Sequence, residues 1–152
     1  MSLEDDIMQR NFRSPIQKAY LNIIFTGNWI MSRQLEIFKP FGISSQQYNV
    51  LRILKGQYPT PVRINTISER MLDQNSNTSR LVDKLLAKGY VERFVCPEDR
   101  RAVDVTITDQ GVKLLEQIAP EIVRFEEESY QFVTAEESQL ISSLLDKLRN
   151  SK

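Results

Sequence analysis

The chain has 152 residues, 41% of them hydrophobic and 26% charged, which suits one domain with a real core and argues against a disordered chain. One cysteine, Cys96, and no histidine argue against a disulfide framework, a cysteine or histidine metal site and Ser-His or Cys-His nucleophile pairs, so no metal, cofactor or catalysis is expected. The net charge is zero, yet residues 109–152 carry five Lys/Arg against nine Asp/Glu, which leaves residues 1–108 at +4 and able to form a mildly basic surface.

In chain order, the opening MSLEDDIMQRN is acidic where a secretory signal would be basic and then apolar. No apolar run approaches the roughly 18–20 residues that span a bilayer, so a cytoplasmic protein without membrane contact is expected. Ser14-Pro15 is a cap followed by proline, and Ile16, Tyr20, Ile23, Ile30, Leu35 and Phe38 then recur at helical spacing until Lys39-Pro40 and Gly42. Phe25, Trp29 and Met31 add more apolar surface than one stripe against one core needs, which predicts a second partner for this long helix. A second helix starts at Ser44 or Ser45 and runs to Gln57, where GQYPTP breaks it.

Two short helices are predicted next, over residues 63–72 with Ile64, Ile67 and Met71 inward, and from Asn75 or Ser76 to Lys88 with Thr78, Leu81, Val82, Leu85 and Leu86 inward. The turn between them is Asp73-Gln74, and Gly89 stops the second. This is a helix-turn-helix arrangement. Outside the apolar stripe lie Asn75, Ser76, Asn77, Ser79 and Arg80, with Lys84 a turn later. Asn can read an adenine edge, Arg can fork onto guanine or bind phosphate, and Ser reaches either a base or the backbone. Helix capping alone would also collect Asn and Ser at a helix start.

A hairpin follows at once: residues 90–95 pair with the alternating Val103, Val105 and Ile107, around a tip carrying Glu98, Asp99, Arg100 and Arg101. A charged tip is usually a solvated loop. Directly after a helix-turn-helix, however, the hairpin makes a winged helix whose tip arginines can enter a minor groove while an adjacent acid holds them extended. Residues 108–131 then read as a long helix whose pattern Pro120 interrupts, and Thr134 opens a last helix with Leu140, Ile141, Leu144, Leu145 and Leu148. Both stripes exceed what one small winged helix covers, so the two ends of the chain are expected to pair across a twofold axis.

The segment SERMLDQNSNTSRLVDKLLAKGYVERFVCPEDRRAVDVTITDQG, above all SRLVDKLLAKGYVER, PEDRRAV and TITDQG in that order, resembles the multiple antibiotic resistance regulator (MarR) family of bacterial transcription factors, over nearly the whole chain. The resemblance implies a mainly α fold with a small β wing. It implies a single domain over residues 1–152, with a winged helix-turn-helix lobe over about 45–107 and a helical dimerisation region over about 12–40 and 108–150. It implies a homodimeric, sequence-specific regulator, a repressor, on double-stranded DNA at a pseudo-palindromic operator, with Arg101 in the minor groove and Asp99 orienting it. It also implies a small aromatic or phenolic effector in a cleft between the dimer helices and the DNA lobe, for which Tyr20, Phe25, Trp29, Phe38 and Tyr48 are the candidate lining residues, although aromatics at helical spacing are more often core. The turn reading Leu72-Asp73 departs from the family's frequent Gly-apolar pair. Two alternatives stand beside this reading: a winged-helix interaction module that does not bind DNA, and a thiol-based sensor using Cys96, which sits in the wing rather than near the N-terminus.

Overall fold

Caps written into the sequence set the helix starts. In the computed structural model, which describes residues 2–95 and 102–150, a short α1 (Leu3–Asp6) precedes the long α2 (Pro15–Phe38). Helix α1 was not anticipated: four residues are too few for a periodic signal, and it is held by Ser2 and Asp5 capping each other and by a Lys18–Glu4 ion pair to α2. The Ser14 hydroxyl accepts the Gln17 amide at 3.1 Å to start α2. The helix ends in a 3-10 turn (Lys39–Phe41) and Gly42 at φ +67°, a backbone angle that glycine adopts without penalty.

Ser44 and Gln47 form a capping box for α3 (Ser45–Lys55), which stops two residues before the predicted Gln57. Then come β1 (Val62–Arg63), α4 (Ile64–Arg70), α5 (Thr78–Ala87), β2 (Val91–Val95), β3 (Val103–Ile107), α6 (Asp109–Tyr130) and α7 (Ala135–Arg149). The hairpin is part of a three-stranded antiparallel sheet of order β1-β3-β2, with Val62 opposite Val105 and Val91 opposite Ile107. Two residues show no alternation, so β1 was not predicted.

The core is that of the winged-helix lobe. Val50, Leu51 and Leu54 of α3, Ile67 of α4, Val82 and Leu85 of α5, Val105 and Ile107 of β3, and Leu114, Leu115 and Ile118 of α6 pack into one cluster with Phe38. Helix α6 starts against this core because the Thr108 hydroxyl bridges two segments, donating to the Gly89 carbonyl at 2.7 Å and accepting the Gly111 amide at 3.1 Å. Gly111 is required there: a Cβ would fall 2.6 Å from Ile107 Cγ1 and still closer to the Tyr90 carbonyl.

Three expectations change. The α4–α5 connection is residues 71–77, not a two-residue turn. Its polar side chains satisfy the backbone in place of helical bonds: Asp73 Oδ1 accepts the Asn75 amide at 3.0 Å and Gln74 Nε2 donates to the Met71 carbonyl at 2.6 Å. Leu86, expected inward, is exposed, because the buried face of α5 is set by Thr78, Val82 and Leu85. Helix α6 runs unbroken through Pro120.

Candidate nucleic-acid interface

The N-terminal end of α5 is where the predicted reading residues gather, and the structure separates their roles. Asn77 is the N-cap: its Oδ1 accepts the Arg80 amide at 3.1 Å. Ser79 and Arg80 are exposed on the first turn. Asn75 is exposed on the connection before the helix, while the Ser76 hydroxyl is shielded from solvent and finds no hydrogen-bond partner among the described residues. Ser76 is thus not placed to reach a groove without moving. Capping is what Asn77 does here, so Asn77→Ala is expected to lower unfolding stability by about 1 kcal/mol in the absence of DNA, with Asn77→Asp largely retaining it. Thermal denaturation of the free protein checks this, and an unchanged midpoint for Asn77→Ala would show the cap to be idle.

The connection is itself held to the lobe. The Leu72 amide donates to Asn49 Oδ1 of α3 at 2.9 Å, which fixes the segment leading into α5 while the Leu72 side chain projects into solvent, 88% exposed. The wing leaves the body through β2 and β3. Arg93 of β2 pairs with Asp83 of α5 at 2.5 Å, and Arg63 of β1 lies 3.9 Å from Asp104 of β3. Sequence pattern signals neither the Asp83–Arg93 nor the Arg63–Asp104 pair. No periodicity links an acid on a helix to a base ten residues later on a strand, and only the reversal at Gly89 brings them together. Cys96, Glu98, Asp99, Arg100 and Arg101 lie outside the described residues.

The aromatic candidates do not converge on one cleft. Tyr20, Phe25 and Trp29 are exposed along α2, with the Trp29 ring 5.9 Å from Phe125 of α6. Tyr48 stacks on the buried Phe38 at 4.6 Å, so this pair fills the lobe instead of lining a site. Burial raises the Tyr48 phenol above its ordinary value, with Arg52 opposing and Glu126 adding to the effect, so it stays protonated at neutral pH.

A cleft of about 620 Å³ opens instead between the end of α2, the start of α3 and α5, lined by Leu35, Ile43 and Leu81 with Lys39, Lys84 and Lys88 and by no carboxylate. Lys84, expected on the DNA face, therefore borders this cleft. The Lys88 ammonium donates to the Gly42 carbonyl, tying the end of α5 to the α2–α3 turn. Apolar walls with three cations suit an anion that has an apolar body. Among the described residues no group of three or more His, Cys, Asp or Glu is placed to hold a metal ion, and no helix is long and apolar enough to cross a membrane.

Comparison with known proteins gives a consistent result. The family model described as MarR family matches residues 43–103. The chain is similar to the crystal structure of a MarR transcription factor from Planctomyces limnophilus, 33% identical, covering 90% of this chain and 98% of that one at a TM-score of 0.70. It is 25% identical over 150 residues to the HTH-type transcriptional regulator PecS of Dickeya dadantii, covering 94% of this chain and 90% of the relative. Its fold also matches that of a mutant MarR from E. coli complexed with operator DNA, 24% identical, covering 97% and 99% of the two chains, with a TM-score of 0.73.

Proposed function

Because this chain belongs to the MarR family of winged helix-turn-helix, DNA-binding transcriptional regulators, we propose that it acts as a homodimeric repressor on a pseudo-palindromic operator. In this reading α5 of each subunit enters a major groove. Ser79 and Arg80 face the bases, Asn75 and Asn77 lie at the helix entrance, and the wing tip, with Arg100, Arg101 and the orienting Asp99, lies over the adjacent minor groove. The observation that carries the reading is the exposed Ser79–Arg80 turn at the positive pole of a helix packed into a rigid lobe through Val82 and Leu85. A winged-helix module without DNA binding would have no use for that cation. Sequencing fragments retained by the purified protein from random duplex DNA tests it, and retention without sequence preference would remove the operator-specific part.

The dimer rests on unsatisfied apolar surface. Among the described residues α7 buries no side chain, and α2 buries only Phe38. Leu140, Ile141 and Leu144 of α7 are each at least half exposed, as is Tyr20 of α2, and Trp29 and Met31 nearly so. Large apolar side chains gathered in this way along exposed helices mark an interaction surface. Residues 45–107 then form the DNA-binding lobe, and residues 12–40 and 108–150 the dimerisation region.

The effector reading moves from the α2 aromatics to the lysine cleft, where an aromatic carboxylate would lie on Leu35 and Leu81 with its charge toward Lys39, Lys84 and Lys88. An anion held there would bridge α2 and α5 and so bias the position of the reading helix relative to the dimer helices. Calorimetric titration with hydroxybenzoates should show binding that weakens operator affinity, and Lys39→Gln should reduce the effector's affinity by about tenfold, the value of one charged hydrogen bond. Equal binding to wild type and Lys39→Gln would place the effector elsewhere.

A further inference from the structure

Apolar packing anchors the two wing strands unequally: β3 is held by the buried Val105 and Ile107 and the partly buried Val103, whereas β2 is held at its start alone. On β2 the buried contacts end at Val91; Val95, on the same face four residues further out, is 62% exposed, and Phe94 on the other face is 48% exposed. Between Val91 and Val95 on that inner face stands Arg93, opposite the fully buried Val105 of β3. It is met by Asp83 of α5, with Nη1 to Oδ1 at 2.5 Å. On β3 the weaker Arg63–Asp104 approach at 3.9 Å ties the hairpin to β1. One close ion pair therefore joins the helix that would read the major groove to the strand that carries the wing.

We propose that Asp83 is a positioning residue that aims the wing through Arg93, setting the angle between the wing and α5. The proposal rests on the DNA-binding reading above for its consequence, but not for its geometry. Both side chains are partly exposed, so the pair adds little to global stability. Its effect is to remove directions available to the hairpin and to Arg93, a long side chain that is costly to immobilise on docking. The pair also makes an opposing expectation testable. Asp83 is a carboxylate on the helix that faces phosphates, so by charge alone its removal should tighten binding to any DNA. If Asp83 acts as a brace, its removal should weaken binding to the preferred site.

Asp83→Ala and Arg93→Gln, singly and together in the full-length chain, separate the two. In the free protein, nitrogen-15 relaxation should show lower order for the Phe94, Val95 and Val103 amides in each single variant, with little change in thermal midpoint. On a duplex selected from a random library by the wild type, each single variant should lose about tenfold in affinity, the double variant should lose no more than either, and Asp83→Glu should recover part of the loss. On a scrambled duplex Asp83→Ala should bind as well as the wild type or better. Unchanged amide order, or tighter binding of Asp83→Ala to both duplexes, would overturn the proposal. Should the wild type prefer no duplex, the operator-specific reading fails by that result, and the relaxation data still decide the brace on their own.

Discussion

Leu144→Glu is expected to convert the protein from a dimer into a folded monomer and to reduce affinity for the selected operator by about a thousandfold or more. Leu144 lies in the middle of the α7 stripe and is 55% exposed within its own chain. The lobe core contains no residue of α7, so a charge there leaves the subunit intact. In the proposed interface that charge would be buried, and burying an unpaired carboxylate costs several kcal/mol. Losing the second subunit also removes the intramolecular advantage of two linked half-site contacts, which spans about a hundredfold to ten-thousandfold. Sedimentation should therefore give a mass near 17.7 kDa for the variant and near twice that for the wild type, with unchanged far-ultraviolet circular dichroism. A well-folded monomer for the wild type would sink the twofold arrangement and with it the palindromic operator.

The second large effect belongs to Arg80. Arg80→Ala should cost about 1–3 kcal/mol on the selected site, roughly a five- to hundredfold loss, and distinctly less on a scrambled duplex. The helix should survive the change, because what Arg80 contributes to the cap is its backbone amide, which donates to Asn77 Oδ1. Alanine also has the higher helix propensity. The contrast with Asn77 is informative: removing the Asn77 side chain should lower stability first and affinity partly as a consequence, whereas removing that of Arg80 should lower affinity at constant stability. Titrations against both duplexes, at two salt concentrations, check this. A uniform loss on both sequences with a shallower salt dependence would assign Arg80 to the phosphate backbone.

Much of the fold was legible locally. Ser14-Pro15, Ser44 and Thr134 each announce a helix start, and each hydroxyl accepts the backbone amide three residues on. Alternation in Val103, Val105 and Ile107 correctly located β3 and its inward face. The connection at 71–77 was misjudged because Asn75 and Ser76 look like helix-start residues, while Asp73 and Gln74 draw the backbone into turns that delay the helix to Thr78. The aromatic residues were the least legible. Helical spacing placed Phe38 and Tyr48 correctly on their helices, but nothing local distinguishes a ring that stacks within the lobe from one that lines a cleft.

By itself the sequence determined the order of the longer helices and of the hairpin strands, the helix-turn-helix followed by its wing, and the family, because caps, periodicity and turn residues act through neighbours within about four positions, whose identities the chain states directly. Only the tertiary structure decided which distant side chains share a place. Lys39 meets Lys84 and Lys88 around one cleft because α2 ends where α5 passes. Asp83 meets Arg93 because the chain reverses at Gly89. The α7 stripe is left uncovered because the lobe core closes without it. These outcomes depend on how rigid elements pack against one another, a relation among surfaces remote in sequence that no local pattern encodes.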